Sequence, residues 1–130
     1  MAALVLIDTC IWVPFFSRKS SPDKMSVVAL LEEDRAALIG PILSEILLGF
    51  KRSEEADWVA SALEGVHCLD LKWDDWCAAA SLGRQMVARG HDLPLSDLYL
   101  AIVARRDHCM VYSVDPHFDV VPDLERFKPE

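Results

Sequence analysis

Four short apolar runs, Ala3–Ile7, Ala36–Ile39, Val66–Leu69 and Cys109–Ser113, are separated by one or two segments with helical spacing. Runs this short are strands rather than helices, and strands joined through helices pair in parallel and bury both faces. An α/β fold is therefore expected, with a parallel sheet of four to five strands flanked by helices. The 130 residues suit one compact domain, and 1–130 are read as a single one.

The connecting segments carry their own start and stop signals. Cys10–Phe16 reads as a short helix, and Ser21 as N-cap, with Pro22 and Asp23 in the first turn, opens a second that runs to about Glu33. Gly40-Pro41 starts a helix to about Arg52, and Ser53 with Glu54 and Glu55 caps another that ends near Gly65. Trp73, Trp76, Cys77, Ala80 and Val87 recur at helical spacing before a stop at Gly90, which puts the tryptophans in the core or at an interface. After a break at Asp92-Leu93-Pro94, with Asp92 read as a cap, a last helix carries Asp97 to about Arg106. The tail is expected to add one edge strand.

Met1–Ile7 lacks a basic flank and stops at Asp8, too short for a signal peptide or a membrane span, so a cytoplasmic location without membrane association is expected. Cys10, Cys68, Cys77 and Cys109 stand singly in apolar segments and read as small buried hydrophobes. Of His67, His91, His108 and His117, only His108 adjoins a cysteine, and adjacent residues rarely ligate one ion, so no structural zinc is expected. A net charge of −8 argues against nonspecific nucleic-acid binding, because phosphate contacts need Lys and Arg. Local positive charge is offered by Arg18-Lys19, Lys51-Arg52 and Arg105-Arg106. Two of these pairs fall near predicted helix C-termini, where the dipole favours cations without any ligand.

The chemistry is signalled where single acids interrupt apolar sequence. Asp8 is the only charged residue from Met1 to Phe16, Glu45 from Ala36 to Phe50, and Asp97 from Leu93 to Ala104. An ionised carboxylate buried without compensation is costly, and none of these stretches supplies a Lys or Arg. Asp115 follows the fourth run as Asp8 follows the first, and open parallel sheets bind ligands beyond strand carboxyl ends where strand order reverses. Each acid also has an ordinary role: Asp8 an N-cap, Glu45 a solvated helix residue, Asp97 a first-turn acid, Asp115 an Asp-Pro turn. Capping needs no acid in the middle of the Pro41 helix, however, and the four together point to a shared site. Asp119 is a candidate fifth acid.

Leu6-Ile7-Asp8-Thr9, Ser44-Glu45-Ile46-Leu47, Ser96-Asp97-Leu98 followed by Ala101 and Ala104, and Ser113-Val114-Asp115 followed by Phe118 span nearly the whole chain. In this order they resemble the PIN-domain nucleases, in particular the VapC-type toxins of bacterial and archaeal toxin-antitoxin modules. The resemblance implies a three-layer fold whose central strands bring Asp8 and Asp115 together, with Glu45 and Asp97 projecting over them from helices. Like charges about 4 Å apart repel by roughly 4 kcal/mol at an effective dielectric near 20, and Mg²⁺ or Mn²⁺ relieves this. No Ser-His-Asp, Cys-His or Gly-rich phosphate-binding arrangement competes, so a metal-activated water is the expected nucleophile.

By the same resemblance the chain is an endoribonuclease that leaves a 3′-hydroxyl and a 5′-phosphate. Asp8, Asp97 and Asp115 are the expected metal ligands, Glu45 orients or deprotonates the water, and the hydroxyls of Thr9 and Ser113 fix carboxylates or water. A homodimer is implied, each subunit wrapped by the basic C-terminal segment of a small antitoxin. Trp12, Phe15 and Phe16 are expected to line its groove, with an antitoxin Arg or Lys reaching Asp8 and Asp97. A haloacid-dehalogenase-type phosphohydrolase fits poorly, because Cys10 stands where a second acid is needed, and a receiver domain lacks its early acidic pair. From another class, a catalytically silent PIN-like scaffold that binds protein partners remains the alternative, and it would show no metal-induced rise in melting temperature.

Overall fold

Val5, Leu6 and Ile7 offer no polar side chain to either face and are fully buried, which suits only a central strand. In the computed structural model, which describes residues 2–17 and 20–129, β1 (Val5–Ile7) lies between β2 (Ala36–Ile39) and β4 (Met110–Tyr112). β3 (His67–Leu69) pairs with the far side of β2, and all pairings are parallel, in the order β3-β2-β1-β4. Val5 is in register with both Ala36 and Met110, and Ile7 with Tyr112. Strand order therefore reverses at β1, and the ladder runs one step further where the Asp8 N–H donates to the Tyr112 carbonyl at 2.9 Å. The Arg18-Lys19 pair lies outside the described residues.

Among the described residues six helices connect and flank the strands: α1 (Thr9–Phe16), α2 (Pro22–Glu32), α3 (Gly40–Leu48), α4 (Ser53–Leu63), α5 (Trp73–Ala88) and α6 (Leu95–Asp107). Ser21 caps α2 as expected, its hydroxyl accepting from the Asp23 N–H. Gly90, at φ +88°, ends α5 in the left-handed conformation that favours glycine. Three boundaries differ from expectation. Gly49 closes α3 short of Arg52, Arg52 rather than Ser53 takes the cap position of α4, and Pro94 rather than Asp92 precedes α6.

Among the described residues the tail does not form the expected edge strand. Among the described residues it contributes one bridge, Arg126 beside Val111, with the Val111 N–H donating to Glu125 and the Phe127 N–H to Val111. Pro122 and Pro129 bracket the segment and have no N–H to extend a ladder.

The main core surrounds the sheet, and a second apolar cluster joins α5 to α6 through Ala79, Leu82, Met86, Leu98 and Ala101. Gly83 permits this approach, since a Cβ there would stand 3.0 Å from Leu98 Cδ1. The inward face of α5 is thus not the one with the tryptophans. Trp73 and Trp76 are 72% and 47% exposed and meet each other edge to face, so the core reading fails for both. Two of the cysteines depart from expectation: Cys109 is buried and Cys10 half-buried, whereas Cys68 and Cys77 are exposed.

The basic pair Arg105-Arg106 is occupied structurally. Arg106 donates to the buried Asp75 carboxylate at 2.5 Å, to the Asp70 carbonyl and to Asp107, tying the start of α5 to the end of α6. The Asp75 Oδ2 also accepts from the Lys72 N–H. Arg106→Ala leaves Asp75 buried without its cation and is expected to cost about 1–3 kcal/mol in denaturant titrations. A variant as stable as wild type would show the clamp to be unimportant.

Candidate active site

The sheet topology puts the carboxyl ends of β1 and β4 side by side, and Asp8 and Ser113 are the next residue after each. Asp8 is the N-cap of α1, as its ordinary role would have it, with Oδ1 accepting from the Thr9 N–H at 2.8 Å. Its other oxygen, Oδ2, accepts from the Ser113 hydroxyl at 2.8 Å and from the Cys10 thiol at 3.4 Å. Asp8 is 5% exposed. Its backbone amide, its Oδ1 and its Oδ2 are all engaged, which fixes the carboxylate at the cleft floor.

Glu45 reaches the same place from α3. It is exposed, yet both its oxygens are held: Oε1 accepts from the Thr9 hydroxyl at 2.8 Å and Oε2 from the Ser96 hydroxyl at 3.0 Å. One side chain thereby bridges α1, α3 and α6. Thr9 serves Glu45 rather than a carboxylate at a strand end, and Ser96 was visible in the sequence only as a neighbour of Asp97.

Asp97, in the first turn of α6, is 6% exposed and faces Asp115 and His117. Asp115 Oδ1 accepts from the His117 N–H at 2.9 Å, the Asp-Pro turn its sequence suggests, and opens the 3-10 turn Pro116–Val120. That turn aims the imidazole of His117 back at the acids, with Nδ1 2.8 Å from Asp97 Oδ2 and 3.0 Å from Asp115 Oδ1. His117 is the side chain at this cluster that the sequence did not place there. Asp119 is not part of this group, because it pairs with Arg126 at 2.6 Å on the surface.

Asp8, Thr9, Cys10, Glu45, Ser96, Asp97 and Asp115 line one open cleft of about 460 Å³, and among the described residues no Lys or Arg lines it. Desolvation, opposed by the His117 hydrogen bond and reinforced by the charges of Asp8 and Asp115, pushes the Asp97 pKa up to about 6. Hydrogen bonding to Asp97 raises that of His117 above its ordinary value, with a further contribution from the Asp115 charge. The donor set suits a divalent cation: one ligand atom from each of Asp97, Asp115 and His117 lies within 4.8 Å of the others. Asp8 stands outside that triplet but acts on Asp97 through its charge.

The same shifts predict how the metal-free protein responds to pH. Between about pH 4 and 6 the folded state binds more protons at Asp97 than the unfolded state does, so stability falls as pH rises through that window. The raised His117 pKa extends the fall above its ordinary value. Asp97→Asn removes the ionisation and is expected to stabilise metal-free protein at pH 7.5 by about 1–2 kcal/mol, allowing for solvent screening in the open cleft. Equal stability of wild type and variant in chelator at that pH would contradict the assignment.

Residues 5–124 match the PIN domain. The chain belongs to the PIN-domain family. As a PIN domain it is 30% identical over 122 residues to a VapC ribonuclease of Mycobacterium bovis and to ribonuclease VapC11 of Mycobacterium tuberculosis, covering 91% of this chain and 91% of each relative. Among solved structures, VapBC2 from Rickettsia felis bound to a promoter DNA fragment has a TM-score of 0.81 at 16% identity, over 98% of this chain and 99% of that one. A toxin-antitoxin complex from Klebsiella pneumoniae has a TM-score of 0.72 at 18% identity, over 92% and 94%. These likenesses carry the fold, a PIN-type parallel sheet flanked by helices. No helix among the described residues is long and apolar enough to cross a membrane.

Proposed function

We propose that this PIN domain is a Mg²⁺- or Mn²⁺-dependent endoribonuclease and the toxin of a toxin-antitoxin pair, acting in the cytoplasm through Asp8, Glu45, Asp97 and Asp115. The observation that carries this reading is the convergence, in one cleft without a Lys or Arg among the described residues, of acids from two strand ends and two helices. The ribonuclease names of the relatives that match over nine-tenths of the chain support the substrate class.

Asp97 and Asp115 would hold the cation, with Asp8 as the third carboxylate of the set. A divalent ion bound there supplies Lewis acidity toward water and neutralises charge on a phosphodiester. The remaining steps belong to the chain's own groups. Thr9 and Ser96 hold Glu45 by one oxygen each, leaving each oxygen a second lone pair with which to orient a water and accept its proton at Oε1 or Oε2. Ser113 keeps Asp8 in place through Oδ2, and its Oγ also accepts from the Asp115 N–H at 3.0 Å, linking the two strand-end acids.

An antitoxin partner is part of the reading, supported by the toxin-antitoxin complexes that share the fold. A basic segment entering the cleft would pair with Asp8 and Asp97 and compete with metal. Its apolar anchors need revision. Trp12 is fully buried and belongs to the core, whereas Phe15 and Phe16 are half-buried, and Phe16 meets the exposed Trp58 of α4 edge to face. Phe15 and Phe16, with Trp58 beside Phe16, are thus the apolar residues proposed for docking. Two such chains are proposed to form the homodimer.

Incubation with total RNA and with single-stranded DNA tests the activity, and expression from the native operon tests the partner. The expected results are cleavage of RNA alone and co-purification of a small protein with a basic tail, whose removal releases the activity. Cleavage of DNA in preference to RNA would refute the substrate class. A native preparation that is fully active, monomeric and free of any partner would refute the toxin-antitoxin part.

A further inference from the structure

His117 belongs to no acid motif, yet its ring nitrogen is the atom through which Asp97 and Asp115 meet. Its position is built rather than incidental. Pro116 starts the 3-10 turn, Asp115 Oδ1 accepts the His117 N–H, and the buried Phe118 anchors the next residue in the core. The imidazole is 40% exposed, so its place over the acids does not follow from the need to bury a ring.

Its separations from the two carboxylate oxygens, 2.8 and 3.0 Å, suit a hydrogen bond, but they also suit neighbouring ligands on one ion. Donors at about 2.1–2.2 Å on adjacent vertices of an octahedron stand about 3.0 Å apart. Small shifts of the three side chains would therefore exchange a shared proton for a shared cation. A neutral imidazole presents a nitrogen lone pair, and nitrogen donors favour the first-row transition ions over Mg²⁺, which keeps oxygen ligands and water.

We propose that His117 ligates the cation through Nδ1 together with Asp97 and Asp115, giving an oxygen-oxygen-nitrogen set that selects Mn²⁺ over Mg²⁺. This rests on the metal-centre reading above and deepens it, because carboxylates alone would discriminate little between the two ions. Glu45 and Asp8 complete the cleft but leave the choice of ion to His117.

The test is pulsed electron paramagnetic resonance of Mn²⁺ bound to the full chain, combined with titrations of Mn²⁺ and Mg²⁺ followed by calorimetry. Wild type is expected to show nitrogen-14 modulation from a directly bound imidazole and to bind Mn²⁺ about tenfold or more tightly than Mg²⁺. His117→Asn is expected to lose the modulation and about tenfold in Mn²⁺ affinity, with Mg²⁺ affinity changing less. The wild-type spectrum decides the matter even should the variant fold poorly. Saturable Mn²⁺ binding that Asp97→Asn abolishes, with no nitrogen-14 modulation in wild type, would overturn the role of His117 and leave the metal centre standing. No saturable Mn²⁺ binding to wild type would overturn both.

Discussion

Asp97→Asn is expected to lower RNA cleavage by on the order of 10³-fold or more while leaving the protein folded and, without metal, more stable than wild type. The two effects have one cause. Asp97 is 6% exposed, surrounded by Asp8 and Asp115, and raised to a pKa of about 6, so its charge is unfavourable to the fold and useful only when a cation is present. Removing the charge at constant shape relieves the fold and disarms the site. Asp8→Asn is expected to lose activity to a similar degree with a smaller gain in stability, because relief of its charge on Asp97 is offset where an amide nitrogen replaces the Oδ2 that accepts from Ser113 and Cys10. Both are read by a fluorogenic RNA assay beside thermal melting in chelator. A silent scaffold has no cleavage to lose, so metal-dependent RNA cleavage that both variants abolish would exclude that alternative.

The largest expected loss of stability comes from Trp12→Ala, at about 3–5 kcal/mol. Trp12 is fully buried, stacks on Phe16 with centroids 6.0 Å apart and meets Phe15 edge on. A loss of that size is a large part of the stability of a domain like this one. Its indole N–H is buried without a partner among the described residues, so Trp12→Phe forfeits no hydrogen bond and is expected to cost much less, about 1–2 kcal/mol. Urea titration of the isolated protein separates this from a groove residue. Were Trp12 a docking side chain, Trp12→Ala would weaken partner binding and leave the unfolding midpoint where it was.

The legible part of the fold was its strand pattern. β1 was legible as a buried strand because Val5, Leu6 and Ile7 form an unbroken apolar run, while its central place came from the family resemblance. The acids were legible for the complementary reason, since Asp8, Glu45 and Asp97 each interrupt an apolar stretch with no cation of its own. His117 was not, because a histidine after Asp-Pro looks like part of a turn. Its only local signal was the two-residue step from Asp115 that lets its N–H cap the carboxylate.

Which stripe of α5 turns to the core is not legible for a related reason. Trp73, Trp76 and Val87 have helical spacing, but so do Ala79, Leu82 and Met86, and the smaller set is the one that fits the close approach of α6 at Gly83. Periodicity identifies a helix and cannot by itself choose between two apolar stripes. Cys10 reads in the sequence as a small hydrophobe because nothing local shows that β4 brings Ser113 to within 3.3 Å of its sulfur.

The most direct measurement strips the protein with chelator, adds back Mg²⁺ or Mn²⁺, and maps the ends of the cleaved RNA. Cleavage is expected to vanish in chelator, to return with the ion, and to leave 5′-phosphate and 3′-hydroxyl ends. Chelator-resistant cleavage, or products that end in a 2′,3′-cyclic phosphate, would contradict a metal-dependent hydrolysis by these four acids.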